Sequence, residues 1–361
     1  MSKSLYKNLY EQIKQDILNG TYKTGEQIPS ELDLASEYGV SRITSKKALE
    51  MLAAEGIVER HVGRGTFVKN QTTINQNLSS QKVIGLVMVS MTEHYGTEIV
   101  AAIEAFAAGK CMVVLRLTYG IPEKEDEAIK ELMEFGVDGL IVFPAKSEYI
   151  SERILQLVIS QFPIVVVDRT INGINMASVR TDNSRAVQAG LEYLTFLGHK
   201  HIAILSPPLQ SNNVLEERSK AVIQFSADRG IFFQRKHWLT SIHGDSGIPE
   251  EEAEKILRHL RQYPEISAIF AFEYPIALLA AEAIKRQSKH LAEDIDLICF
   301  DSPPTMFGQP PFTHLRQNEK ALGETALATL LNLMNQEEAE NKISIRAELI
   351  VGQSTRGKKV D

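Results

Sequence analysis

Two groups of side chains in this 361-residue chain have the types and spacing to do chemistry. The first is the run Ser41-Arg42-Ile43-Thr44-Ser45-Lys46-Lys47. Hydroxyls interleaved with cations over seven residues suit phosphate oxygens and base edges, to which they donate hydrogen bonds without making covalent bonds. The second group consists of charged residues that directly follow apolar runs. Asp168-Arg169 follows Ile164 to Val167, Phe272-Glu273 follows Ala268 to Ala271, and Asp301 closes Leu297 to Phe300. Charged side chains at such positions form strong hydrogen bonds to hydroxyls, and ligand sites in open α/β sheets lie beyond the carboxyl ends of the strands. A local ion pair would use the same residues. Carboxylates at 168 and 301 could also do acid–base work on a glycan. No nucleophile elbow, zinc-ligand spacing, phosphate loop or GxGxxG accompanies them, so an enzyme is not the reading, and neither metal nor cofactor is expected.

The elements that must position the first group are legible around it. Ser30 can cap a short helix through Leu32, Leu34 and Ala35, with Glu31 and Asp33 in its first turn. Tyr38-Gly39 ends that helix, since glycine takes the left-handed conformation readily. Ser41 then caps a second helix whose apolar face is Ala48, Leu49, Leu52 and Ala53. Two helices about a tight turn, the second with a cationic start, make a helix-turn-helix. Ile57 to Arg60 alternates like a strand, Gly63-Arg64-Gly65 turns, and Thr66 to Val68 returns, which predicts a two-stranded wing with a basic tip. A preceding helix from Leu5 to Leu18 carries the stripe Leu5, Leu9, Ile13, Ile17, Leu18 and stops at Asn19-Gly20.

The pieces PSELDLA, YGVSR, KKALEMLAAEGIVER and GRGTFV, in that order, resemble the winged-helix domain of the GntR family of bacterial transcription regulators over residues 4–69. The resemblance implies that the start of the second helix enters the major groove and the wing tip the minor groove. The implied DNA-facing set is Ser30, Ser41, Arg42, Thr44, Ser45, Lys46 and Lys47, with Gly63 and Arg64 at the wing tip. Some family members carry a DNA-contacting Arg where this chain has Leu32, so its sequence preference need not match theirs.

Composition bounds the rest. The length predicts two or three domains. With 43% hydrophobic and 24% charged residues the chain is an ordinary soluble globular protein. Its formal charge is −7, distributed as +1 over residues 1–70 and −8 beyond, so cationic character is a local patch on an acidic body. Cys111 and Cys299 sit in or beside apolar runs and are read as reduced core cysteines. The N-terminal segment is polar and amphipathic, and no run approaches the ~20 apolar residues of a membrane helix. Neither a signal peptide nor a membrane partner is expected, and the location expected is cytoplasmic.

Residues 70–82, polar and without periodicity, read as a linker between a domain over 1–69 and a region over 83–361. From Val83 onward, continuous Val/Ile/Leu runs alternate with helical stretches, which predicts parallel sheets covered on both faces. The length of that region implies two α/β lobes. The fold class is therefore α/β, with an N-terminal winged helix-turn-helix.

The pieces IGLVM, FGVDGLIVFPA, PIVVVDR, DNSRAVQAGLEYLTFLGHKHIAIL, ERSKAVIQFSADRGI, AIFAF, LICFD and FTHLRQNEKALGETALATLLNLM resemble the LacI-type effector domain, which shares its fold with periplasmic sugar-binding proteins. The combination with the winged helix is similar to the arabinose-repressor subfamily. The resemblance implies chain crossings near 181–182, 314–317 and 345. One lobe would then hold about 83–181 and 317–345, the other about 182–316 and 346–361. It also implies a small polar ligand, usually a sugar, held by Asp168, Arg169, Arg218, Asp301 and Gln317. Glu93 and Tyr95 are candidates after the first strand, where His94 reads as a loop histidine. Where relatives show Asn-Asp this chain has Phe272-Glu273, so either Phe272 stacks on the ligand and Glu273 takes the polar contact, or the ligand is not a common sugar. Three acids and two arginines favour a polyhydroxy ligand, and a purine is the alternative. The expectation is a homodimeric, ligand-responsive DNA-binding regulator that represses carbohydrate-use genes on operator DNA, with an activator as the alternative.

Overall fold

The computed structural model describes residues 5–61, 64–69, 81–146, 151–171, 173–174, 176–209, 212–231, 233–244, 247–338 and 340–356. The chain divides into two compact units between residues 81 and 82. Of the expected linker, residues 70–80 lie outside the described residues, and Lys82 already belongs to a strand.

In the first unit α1 (Leu5–Leu18) is followed by β1 (Gln27–Ile28), α2 (Glu31–Glu37), α3 (Arg42–Ala54), β2 (Val58–His61) and β3 (Gly65–Val68). Leu9, Ile13 and Ile17 of α1 recur every four residues and meet Leu34, Ala48, Leu49, Leu52, Val58 and Val68 in one core. Ser30 and Asp33 form a reciprocal capping box on α2, and the Ser41 hydroxyl accepts from the Thr44 N–H at the start of α3. Lys14 and the Tyr10 hydroxyl both donate to Glu55, pinning α1 to the end of α3. The expected hairpin is present, with β2 and β3 paired from Val58–Val68 to His61–Gly65, and β1 adds an unexpected third strand on the other edge of β3. Two residues of β1 are too few to show an alternating pattern in sequence.

The second unit runs β4 (Lys82–Met88), α4 (Thr97–Ala107), β5 (Cys111–Leu117), α5 (Pro122–Phe135), β6 (Gly139–Val142), α6 (Glu152–Ile159), β7 (Ile164–Val167) and β8 (Ala177–Thr181). It continues with α7 (Asn183–Phe196), β9 (Ile202–Leu205), α8 (Asn213–Arg229), β10 (Trp238–Leu239), α9 (Pro249–Gln262), β11 (Ala268–Ala271), α10 (Tyr274–Lys285) and β12 (Asp296–Phe300). It closes with β13 (Thr313–Arg316), α11 (Glu319–Met334), β14 (Lys342–Ile345) and β15 (Glu348–Ile350). Two six-stranded sheets result. The order β14-β8-β7-β6-β4-β5 defines lobe 1, and β10-β9-β11-β12-β13-β15 defines lobe 2. All pairs are parallel except β13 with β15. Residues of β6, β7, β9 and β11 are buried throughout, because helices cover both faces of each sheet.

The chain passes between lobes three times, after β8, after β13 and after β14. The passages are tied to one another. The Thr181 hydroxyl donates to Gln317 Oε1 at 2.6 Å, and the Asp182 N–H donates to the Ile345 carbonyl at 2.8 Å. No helix of the described residues is long and apolar enough to cross a membrane.

Lobe 1 depends on a close approach of α11 to α4. A Cβ on Gly323 would lie 2.7 Å from the Ile99 carbonyl oxygen and 3.1 Å from the Ala102 methyl. Because the nearer contact is to backbone, Gly323→Ala is expected to lower the unfolding free energy by roughly 2–3 kcal/mol through overpacking, less the roughly 1 kcal/mol that alanine gains in helix propensity, a net loss of about 1–2 kcal/mol. Urea titration measures this; an unchanged midpoint would show that the helices separate freely.

Candidate functional site

On the first unit, α3 turns two sets of residues in opposite directions. Ser45, Ala48, Leu49 and Leu52 are buried, while Arg42, Ile43, Lys46 and Lys47 are exposed. Arg42 donates its Nε to Glu31 at 3.3 Å, and its side chain remains 66% exposed. Glu31 also receives Arg60 Nη2 at 2.5 Å, so one carboxylate aligns α3 with the wing. The Lys47 ammonium lies 4.1 Å from the centre of the Tyr6 ring. Lys46 pairs loosely with Glu50, at 3.8 Å.

The structure changes the expected set at Ser45. Ser45 is fully buried, and its hydroxyl donates to the carbonyls of Glu31 and Arg42 at 2.6 and 3.0 Å. Its role is to join α3 to α2, and it is unavailable to DNA. Ser30 and Ser41 act first as caps, each hydroxyl bonded to its own first turn. Arg64 is exposed at the wing, with its backbone carbonyl accepting from the Gln27 amide at 3.2 Å. Gly63 lies outside the described residues. Leu32 is 62% exposed.

In the second unit a cavity of about 210 Å3 lies where the carboxyl ends of the strands of both lobes converge. Lobe 1 contributes Thr92, His94 and Tyr95 from the loop after β4, Pro144 from the end of β6, and Asp168 and Arg169 from the end of β7. Lobe 2 contributes Arg218 from the second turn of α8, Phe272, Glu273 and Tyr274 from the end of β11, and Asp301 from the end of β12. Gln317 enters from the second passage. Asp168 and Asp301 occupy corresponding places in the two lobes and share a left-handed backbone, with φ of +68° and +60°. Such backbone is uncommon outside glycine and concentrates at functional sites.

Arg218 is the centre of the constellation. It is 4% exposed, donates from Nε to the Asn183 side-chain oxygen at 2.9 Å and from Nη1 to the Phe272 carbonyl at 2.5 Å, and lies 3.4 Å above the Phe300 ring. Burial lowers its pKa, while the charges of Asp301, Asp168 and Glu273 act to raise it. Its Nη2 has no hydrogen-bond partner among the described residues and is left to the cavity.

Burial pushes the Asp301 carboxyl up to about 6, against the lowering influence of Arg218 and of two hydrogen bonds from Gln317. Those bonds run from the Gln317 amide side chain at 2.8 Å and its backbone N–H at 3.3 Å. The Gln317 oxygen is taken by Thr181, so this residue orients Asp301 and leaves little of itself for a ligand. Asp168 accepts from the Tyr95 hydroxyl at 3.1 Å. Arg169 reaches the Ala145 and Pro144 carbonyls at 2.5 and 3.3 Å, with its Nε 4.0 Å from Asp168.

Eight of the nine expected residues line this cavity; Glu93 does not. Glu93 is exposed, and its charge is felt at Tyr274, where it helps burial raise the phenol pKa. Phe272 lines the wall without presenting a ring face. It has no exposed surface and packs edge-on against Phe270, with centroids 5.5 Å apart, so it cannot stack on a ligand as expected. Its contribution is the carbonyl that holds Arg218. The aromatic walls are instead Tyr95, Tyr274 and His94, the last two with rings 5.0 Å apart across the cleft.

Sequence reasoning also missed Glu319. Its carboxylate accepts from the Gly96 and Ile99 N–H groups at 2.8 and 3.3 Å. It thereby caps α4, where Gly96 offers no side chain, and fixes the backbone beside Tyr95. Burial raises its pKa to about 7 despite these bonds. Only the adjacency of Tyr274 to Glu273 could have been read from the sequence; Asn183 and Glu319 carry no local signal.

Comparison with known proteins finds the same two parts. Residues 5–68 match the gntR family of bacterial regulatory proteins, and residues 191–355 match the periplasmic binding protein-like domain. The chain is 25% identical over 366 residues to the arabinose metabolism transcriptional repressor of Halalkalibacterium halodurans, covering 97% of this chain and 96% of that one. It is 25% identical over 359 residues to the protein of the same name from Geobacillus stearothermophilus, covering 96% and 97%. A LacI-family regulatory protein from Chloroflexus aggregans superposes with a TM-score of 0.66 over 76% of this chain and 98% of that one, at 21% identity, which shows the shared fold.

Arg218→Ala is expected to raise the Asp301 carboxyl pKa further above about 6, because the guanidinium is the largest influence lowering it. Carbon-13 titration of the aspartate carboxyls reads this directly. An unshifted Asp301 would mean that the guanidinium is not the partner of this carboxylate.

Proposed function

We propose that this chain, a gntR-family winged helix followed in sequence by a periplasmic-binding-protein-like domain of two lobes, is a bacterial transcription regulator whose hold on operator DNA answers to a small neutral sugar. The observation that carries the reading is the cavity where Arg218, Asp168, Asp301 and Glu273 converge between two sheets. A guanidinium flanked by carboxylates offers strong donors and strong acceptors together, which is what a ring of hydroxyls requires. Phe272 offers no ring face, but Tyr95 and Tyr274 supply apolar faces for the C–H side of a pyranose in its place, so the loss of Phe272 stacking does not exclude a sugar. Acids exceed arginines along the wall, which disfavours a phosphorylated ligand. Two relatives over nearly full length are named repressors of arabinose metabolism, which supports repression of carbohydrate-use genes relieved by a sugar.

No catalytic step is assigned to Asp168 or Asp301, because Tyr95 and Gln317 hold them as acceptors. One winged helix makes few contacts, so we infer a homodimer on an inverted repeat in the cytoplasm. Arg42 is assigned to a base edge in the major groove with Lys46 beside it, Lys47 to a phosphate and Arg64 to the minor groove.

The test is a thermal-shift screen of the full chain against neutral pentoses, hexoses and purines, followed by operator titration with whichever compound stabilises it. A sugar at a hundred times its Kd adds about 2.7 kcal/mol of apparent stability. Arg218→Ala is expected to keep operator binding and to need about tenfold or more ligand for release. Sugar affinity is expected to fall as pH drops below about 6, since a protonated Asp301 loses an acceptor. The unliganded protein responds to Asp301 with the opposite sign. Its folded pKa is raised, so this group's stabilising contribution is present at acid pH and is lost as pH rises through about 6. Stabilisation by a purine and by no sugar would overturn the ligand class, and turnover of the sugar would overturn the sensor reading.

A further inference from the structure

Ile43 is the most exposed large apolar side chain described in the first unit, at 80%. Its position on α3 explains why nothing within the domain covers it. Successive helical residues turn by about 100°, which places Ile43 opposite the buried row Ser45, Ala48, Leu49 and Leu52. Residues three and four further along share its face, and these are Lys46 and Lys47, both exposed. Arg42 and Thr44 lie to either side in sequence, with the Arg42 side chain exposed. An isoleucine thus stands at the centre of a cationic frame. The frame is complementary to phosphate, but the isoleucine is not.

We infer that Ile43 reads a thymine through its C5 methyl group, while the lysines around it hold the flanking backbone. The methyl is the one apolar group that base pairs present in the major groove. A β-branched side chain near the helix start is stiff, so it loses little rotamer freedom on contact. This assignment makes Ile43 a specificity-determining residue, distinct from the hydrogen-bonding set, and it rests on the DNA-binding reading given above.

Deoxyuridine lacks only that methyl, which makes the test direct. Duplexes are selected by the full chain from a random pool, and each thymine of the resulting consensus is replaced in turn by deoxyuridine. One thymine in each half-site is expected to cost the parent protein roughly fourfold in affinity when its methyl is removed, the value of one buried methyl-sized group. Ile43→Ala is expected to lose a similar factor on the thymine duplex and to show no further loss on the deoxyuridine duplex. Its melting temperature is expected to equal the parent's, because the side chain is exposed. Additive losses, or an Ile43→Ala protein that binds and discriminates like the parent, would overturn the inference and leave DNA recognition standing. A lower melting temperature would make Ile43 a packing residue and overturn it equally. If the parent enriches no duplex at all, the DNA-binding reading falls first and this one with it.

Discussion

A guanidinium taken almost completely out of water has to be neutralised and hydrogen-bonded, and the cleft of the second unit is organised around that requirement at Arg218. Asn183 and the Phe272 carbonyl satisfy two of its donors, the Phe300 ring lies against its face, and Asp301, Asp168 and Glu273 supply opposite charge. The carboxylates meet the same constraint from the other side. Asp301 is held as an acceptor by Gln317, whose own amide oxygen is taken by Thr181 on another passage between lobes. The polar site and the connection between the lobes are one hydrogen-bonded assembly.

That arrangement explains how the pocket could sense a ligand. Hydroxyls entering the cavity would meet acceptors and donors already oriented by the protein, with little left to organise on binding. Thr181 and Gln317 lie on two of the three passages, and Asp182 and Ile345 join the first passage to the third. A ligand that prefers one relation of the lobes shifts the population toward it by the difference of its affinities for the two states, and by nothing else.

The first unit answers a different constraint. Its helices are short, so their ends must be satisfied by caps, the box at Ser30 and Asp33 and the hydroxyl of Ser41, while the Ser45 hydroxyl ties α3 to the start of α2. Glu31 then orients Arg42 and Arg60 with one carboxylate. The three hydroxyls that look equivalent in the run from Ser41 to Lys47 therefore divide: Ser41 caps α3, Thr44 bonds to the Ser41 hydroxyl, and Ser45 ties α3 to α2.

Much of this was legible without coordinates. Strands such as Ile164–Val167, Ile202–Leu205 and Ala268–Ala271 are continuous apolar runs, because burial on both faces demands it, and the helices between them carry helical periodicity. Charged residues placed just after such runs indicated the cavity, since strand ends in these sheets point to one edge. The strands flanking the passages were not legible as strands. Ala177–Thr181, Thr313–Arg316 and Lys342–Ile345 mix polar and apolar residues, and their polar groups find partners far along the chain, as Ser178 does with the Asn341 carbonyl and Thr313 with Thr355. Tertiary structure alone decided the direction of each side chain at an element's end. It turned Phe272 into the core and Ser45 inward, left Glu93 exposed outside the cavity, and carried Glu319 to the start of a helix 220 residues away. Sequence periodicity records which face of an element is buried; it holds no record of a contact made between residues that only the fold brings together.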